Sequence, residues 1–333
     1  MFNIIKTYFR IIKSQKLSPI ISIGGLALSL SILVLLLTYV MQEYSVDKHY
    51  KNIDTMYRVI TSENETHIPL ELAEQILEAA PEIEKLSAFS RCYSIYTYNN
   101  KSSNVDGISA DEHFFDLFDI EISNGQKHDL LSSPENVIIT QRFAQKIFGN
   151  ENPIGKCIMF GEDETKVVKA VIPDPSKYCS IDFDVIFNHQ TSLIGSLRTM
   201  NNKTYYLFNT VLQINEKANR VETEAKIAGL LSKQEGYSDV KLTLQPYKEI
   251  YFNELKYDGH KHANINLIKL LTGVAIIILV LSVFNFINLS TAWNIERFKE
   301  VCIRKTSGAS RSVIFTQFVL EALISCFIAL ILS

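Results

Sequence analysis

The sequence predicts an α+β membrane protein, in which transmembrane helices flank a mixed α/β extracytoplasmic domain. Three observations carry this. Residues Ile20 to Met41 and Leu270 to Leu289 are two runs without a charged side chain. More than two hundred mostly polar residues separate them. A short basic loop then precedes a third apolar run from Val313 onward. About 20 residues at ~1.5 Å rise are enough to cross a bilayer core as a helix.

The order along the chain is as follows. Residues 1–18 read as an amphipathic interfacial helix, with Ile4, Ile5, Tyr8, Phe9, Ile11 and Ile12 at helical spacing against Lys6, Arg10 and Lys13. Such a helix holds membrane lipid. Pro19 marks the bend before the first span, 19–42. That span reads as a retained anchor, because Tyr39-Val-Met-Gln-Glu43 offers no small-x-small cleavage site. Gly25 and Ser29, and Ala27 and Ser31, are four-residue spacings that allow close helix approach. The outer domain is 43–265, the second span 266–290, the cytoplasmic loop 291–312 and the third span 313–333. Lys6, Arg10, Lys13 and Lys16 precede the first span, and Arg297, Lys299, Arg304, Lys305 and Arg311 follow the second. Positive flanks stay inside, which puts the N-terminus in the cytoplasm and the large domain outside. An apolar run reaching Ser333 reads as a chain cut after its third span.

Within the outer domain, strands are expected at Met56–Ile60, Ser103–Ser109, Asn136–Thr140, Asp182–Phe187, Asn209–Ile214 and Val240–Gln245. Cys157–Phe160 and Lys166–Val171 form a hairpin across Gly161-Glu-Asp. Helices are expected at Leu70–Ala80, Glu112–Phe118, Gln141–Phe148 stopping at Gly149, and Lys217–Lys233. Phe114, Phe115 and Phe118 fit an amphipathic turn that buries its aromatics, or a docking surface.

The net charge of −3 over 333 residues gives no case for a nucleic-acid partner. Cys92, Cys157 and Cys179 allow a disulfide without naming it. His260-Lys-His262 only weakly imitates a metal site, and no metal ligand set or cofactor is expected. Gly149 to Cys157 imitates a phosphate loop with faulty spacing and reads as a turn. No paired acid and base mark an enzyme.

The membrane part is more specific. Asn285 and Asn288 are three apart on the second span, where buried amides would bond a neighbouring helix. Glu300 and Arg304 are four apart in the order that supports a helix, and Gly308 closes it. Gln317 and Glu321 share a face of the third span; an acid inside a membrane should face the protein interior.

The stretch Arg297-x-x-Glu300-Val-x-Ile-Arg304-Lys305-x-x-Gly308-Ala309-Ser310 resembles the cytoplasmic loop of FtsX-like permeases, the membrane subunits of MacB-type ABC transporters. Ile108 to Phe118 with Asn124-Gly125, Asn136-Val-Ile-Ile-Thr with Phe148-Gly-x-Glu-Asn-Pro-Ile-Gly-Lys156, and Val171-Ile-Pro-Asp-Pro175 are similar to that family's periplasmic core domain. Cys302 and Thr306-Ser307 depart from the usual loop pattern. The resemblance implies a bacterial inner-membrane permease with no catalytic residues of its own, driven by a separate cytoplasmic P-loop ABC ATPase. It implies a homodimer or pairing with a second permease half, a periplasmic partner, four or eight spans, and roles in efflux, lipoprotein extraction or mechanotransmission. It assigns ATPase coupling to Arg297, Glu300, Arg304, Lys305, Gly308 and Ala309. The competing reading is a sensory receptor whose outer ligand domain lies between two spans.

Overall fold

The computed structural model describes residues 17–122, 130–189, 197–200, 203–234, 237, 239–296, 298–306, 308 and 310–333. They form two compact units. Ser45–Ala263 is one, and the long helices before and after it make the other. Residues 1–16, Asn124, Gly125, Arg297 and Ala309 lie outside the described residues.

In the helical unit, α1 (Leu17–Tyr44), α6 (Ile265–Glu296) and α8 (Arg311–Leu332) are long apolar helices. Ile23–Tyr44, Ile265–Asn288 and Arg311–Leu332 are long and apolar enough to cross a membrane. Pro19 falls inside α1 rather than before it. In a first turn its missing N–H would cost no helical bond. The second helix also runs past residue 290 to Glu296, because no Gly or Pro interrupts Thr291 to Glu296. A small core of Leu26, Ala27 and Ala329, with Phe286 and Cys326 against it, joins α1 to its neighbours. The hydroxyls of Ser29 and Ser31 donate to the carbonyls of Gly25 and Ala27, so neither needs water inside an apolar helix.

The other unit is built on one continuous set of strands. β1 (Met56–Thr61), β2 (His67–Pro69), β10 (Lys203–Ile214) and β11 (Leu242–Pro246) surround the first half of β3 (Ile83–Tyr98) in an open sheet, with β9 (Leu197–Met200) also pairing β10. Helices α2 (Leu72–Ala79) and α5 (Arg220–Ile227) supply apolar residues to its core. Leu72, Ile76 and Ile227 pack with Val59, Leu212 and Leu244. The second half of β3 continues into β4 (Lys101–Ala110), β8 (Val185–Asn188), β5 (Asn136–Thr140), β7 (Glu164–Ile172) and β6 (Cys157–Phe160). β6 then returns to β3 through Tyr96 opposite Phe160 and Thr97 opposite Met159, closing a barrel. Its interior holds Cys92, Val105, Val137, Ile139, Ile158, Phe160, Val185 and Phe187, capped by Phe143 and Phe148 of α4 (Gln141–Phe148). Phe89 pairs with Asn209 of the open sheet on one edge and Ala110 of the barrel on the other.

Local chemistry accounts for several boundaries. α4 starts where the Thr140 hydroxyl accepts the Phe143 N–H and stops at Gly149, whose φ is +60°. Asp111 accepts the N–H of Phe114 and of Ala88 and the Ser87 hydroxyl, fixing α3 (His113–Leu117). Phe114, Phe115 and Phe118 are buried there, so these aromatics are core and not a docking surface. The expected helix over Lys217–Lys233 is instead α5 followed by a 3₁₀ turn, Leu231–Lys233. Asn215 accepts the Lys217 N–H in a turn, Asn219 caps α5 through the Val221 N–H, and Gly229 sits in the break.

Gly107 of β4 is closely packed in the barrel. A Cβ there would stand 2.8 Å from Phe187 and 2.9 Å from Val185. Gly107→Val is expected to destabilise the domain by roughly 1–3 kcal/mol through overpacking. Calorimetry of the solubilised chain would show it as a lowered melting temperature.

Candidate functional site

The basic loop contains α7 (Phe298–Thr306), a nine-residue helix. Its backbone carries Glu300 and Arg304 four residues apart, hence on one face. Lys305 and Cys302 are exposed, and Ile303 is 65% exposed. The Thr306 hydroxyl donates back to the carbonyls of Cys302 and Ile303, which tightens the last turn. Gly308 follows at φ +92°, a left-handed position that ends the helix. Ser310 then accepts the Val313 N–H and starts α8. The helix thus ends at a defined stop before α8, with Cys302, Ile303, Lys305 and Thr306 exposed along it.

The polar residues of the spans divide. Gln317 and Glu321 are buried, and the Gln317 amide donates to the Glu321 carboxyl at 2.8 Å. Asn285 and Asn288 are exposed on α6 rather than buried. The Asn285 amide lies against Gly25 of α1, 3.6 Å from where a Cβ would be, an ordinary packing contact.

A third group was illegible in the sequence. At the start of the strand-bearing unit, the buried Asp47 accepts the Ser180 N–H at 2.8 Å, and its own N–H donates to the Tyr178 carbonyl. At its end, the Lys261 N–H donates to the Ser180 carbonyl and its ammonium meets Asp182 at 2.7 Å. Asp182 and Asp184 also receive the Arg142 guanidinium, both at 2.7 Å. The segment Tyr178–Asp184 therefore holds the chain where it enters the domain and where it leaves. Tyr50 meets the Cys179 sulfur at 2.9 Å, and burial pushes both groups' pKa values up, the thiol to about 12.

Behind this segment lies a buried ion pair. Arg58 of β1 is fully buried; its Nη1 donates to Asp258 Oδ2 at 2.6 Å, while Nε and Nη2 donate to Gln245 Oε1 at 3.1 and 2.7 Å. Asp258 Oδ1 accepts the His260 N–H at 3.1 Å and stands 2.8 Å from its ring Nδ1. Arg91 of β3 donates to the Gly259 carbonyl. Burial opposes the charge on Asp258, but the hydrogen bonding of His260, the facing His262 and the Arg58 charge outweigh it, and its carboxyl titrates well below the usual range. Burial pushes His260 down and His67 down to about 4. His260 and His262 both face the Asp258 carboxylate. Cys92, Cys157 and Cys179 are all free thiols, so the disulfide allowed by the sequence is not formed.

The unit also has a half-open cavity of about 420 Å³. Phe114, Phe118, Ile172, Ile181 and Phe183 line it, with Lys51 and Asp119 among its polar residues.

Residues 20–230 match the MacB-like periplasmic core domain family, and residues 272–333 match the FtsX-like permease C-terminal family. Among curated proteins, the chain is 24% identical over 242 residues to the macrolide export ATP-binding/permease protein MacB of Acinetobacter baylyi, covering 72% of this chain and 34% of that protein. It is 25% identical over 231 residues to the corresponding Agrobacterium fabrum protein, covering 68% and 34%. The chain spans about a third of the length of these relatives. Among solved structures, a domain of a permease-type protein from Porphyromonas gingivalis aligns with a TM-score of 0.51 at 16% identity, covering 66% of this chain and 98% of that domain. That likeness concerns the fold alone. With the periplasmic-core match extending over more than half of the sequence and the permease match over its last helices, the chain belongs to the MacB/FtsX-type permease family.

Proposed function

We propose that this chain is the permease part of an ABC transporter, in which a separate cytoplasmic ATPase acts on α7 to move the extracytoplasmic domain. The observation that carries the proposal is the short helix Phe298–Thr306 between two apolar helices, ended by Gly308 and exposing Ile303 and Lys305, in a chain of this family. A force-receiving element has to be short and stiff. Ile303 offers an ATPase an apolar anchor and Lys305 an exposed charge, with Glu300 and Arg304 carried on the same short helix. Arg297, Gly308 and Ala309 complete the set by resemblance. The domain lies on the far side of the bacterial inner membrane, the N-terminus is cytoplasmic, and the working assembly contains two permease halves. The MacB relatives carry macrolide export in their names. For this chain the proposal covers efflux, extraction or mechanotransmission through the same drive.

The test is a pull-down of the tagged chain from gently solubilised native membranes, read by mass spectrometry. Recovery of a P-loop ATPase is expected, and its absence from an otherwise intact preparation would overturn the coupling. Orientation has its own test. A membrane-impermeant maleimide on spheroplasts should label the exposed Cys157 and leave the buried Cys92 and Cys179 unlabelled. The exposed Cys302 should react only after permeabilisation. The reverse pattern for Cys157 and Cys302 would invert the topology.

A further inference from the structure

The last residues of the strand-bearing unit hold a histidine whose two ring nitrogens both face acceptors. His262 Nδ1 is 3.0 Å from the Ile250 carbonyl oxygen. Its Nε2 is buried, makes no completed hydrogen bond, and faces Asp258 Oδ2 at 3.2 Å. A neutral imidazole has one N–H and one lone pair. Either tautomer therefore points a lone pair at an oxygen, whereas the imidazolium donates to both. The Asp258 carboxylate it faces is 2% exposed and already bound to Arg58. His262 itself is 12% exposed, which leaves the proton a route to water.

We propose that His262 is a proton-operated fastener. As an imidazolium it ties the segment leading into α6 to the Arg58–Asp258 pair in the domain interior, and on losing its proton it gives up that tie and loosens the segment, leaving the bonds of Lys261 to Ser180 and Asp182 and of the Ala263 N–H to the Tyr251 carbonyl. His262 stands three residues before Ile265, the first residue of α6. The fastener therefore sets how firmly the chain entering the second apolar helix is joined to the domain. His262 is a positioning residue, and the external proton is its ligand.

The charges around it act in a consistent direction. Burial disfavours the imidazolium, but Asp258, the Ile250 carbonyl and Glu254 favour it, and the net shift is upward from 6.5. A histidine raised on folding contributes stability that is present below 6.5 and lost as pH rises through its folded value. Arg58 faces the same carboxylate from β1 and opposes a second positive charge; His260 faces it from its own segment, and burial lowers its pKa. His260 and His67, both lowered by burial, push global stability the other way on acidification. A local readout is therefore required.

The inference rests on the proposed transport role only for its consequence; the fastening is read without the ATPase, so the two can fail separately. The experiment is hydrogen exchange of the full chain in lipid nanodiscs, following peptides that span Glu254–Ala263 as protection relative to intrinsic rates. Wild type is compared with H262Q and with H262K, whose charge does not titrate in the range used. At pH 6 the wild type should exceed H262Q in protection by about tenfold, as expected for a hydrogen bond to a charged group. At pH 9 the two should converge, while H262K should keep its protection at both. Equal protection of wild type and H262Q at pH 6, or an undiminished difference at pH 9, would overturn the proposal. Peptides from β5 and β7 report whether a variant has lost the fold as a whole.

Discussion

Arg58→Met should lower the stability of the strand-bearing domain by roughly 3–5 kcal/mol, the cost of leaving one charge of a buried pair without its partner. Asp258 keeps hydrogen bonds from His260 after the change, but loses the contact at 2.6 Å and the formal countercharge. Gln245 Oε1 loses two donors at once. The double variant Arg58→Met with Asp258→Leu should recover much of the loss, because apolar residues of similar volume often replace a buried pair at little net cost. Denaturant unfolding of the solubilised wild type and both variants gives the three values needed. Should the single and double variants be equally destabilised, packing and not charge would be the source of the loss. The pair has a pH signature as well. Asp258 is depressed on folding, so its contribution is present above about 3.9 and lost as pH falls toward its folded value.

Arg304→Glu and Glu300→Lys should each reduce recovery of the ATPase with the permease at least tenfold, since a reversed charge in a buried interface costs roughly 2–5 kcal/mol. Ile303→Asp should act in the same direction by removing the apolar anchor, which is 65% exposed in the chain alone. Membrane fractionation should find all three variants inserted at wild-type levels. Their changes lie in a helix between two spans and do not touch the apolar runs. Undiminished ATPase recovery with both charge reversals would remove α7 from the drive and leave the basic loop as a topology signal alone.

The elements legible in the sequence were those whose signals are local. The β5–α4 pair has Thr140 at its joint and Gly149 at its end, and the β6–β7 hairpin has its turn at Gly161. The charge spacing and Gly308 of α7 are equally compact. β3 escaped notice because its two halves serve different cores, so no single alternation runs along Ile83–Tyr98. The helix expected to reach Lys233 followed apolar spacing past the Asn219 cap and Gly229, where local hydrogen bonds win. The junction cluster was illegible for another reason. Arg58 and Asp258 are two hundred positions apart, and an arginine within Tyr57-Arg-Val59 reads as a solvent-facing side chain. Only the closing of the sheet makes it a core residue. His260-Lys-His262 was visible as a pattern, but its partner was Asp258, which no metal spacing includes.

The sharing of β3 limits what kind of motion the domain can make. A single strand of sixteen residues, about 50 Å of contour at ~3.3 Å per residue, serves as a spar common to the open sheet and the barrel. Swinging one half against the other would shear the ladder on both sides of Phe89 and expose backbone groups now paired with Asn209 and Ala110. The two halves must therefore turn together. Work delivered at the domain's entry and exit segments would appear as tilt of a rigid body, and not as a clamshell opening within it.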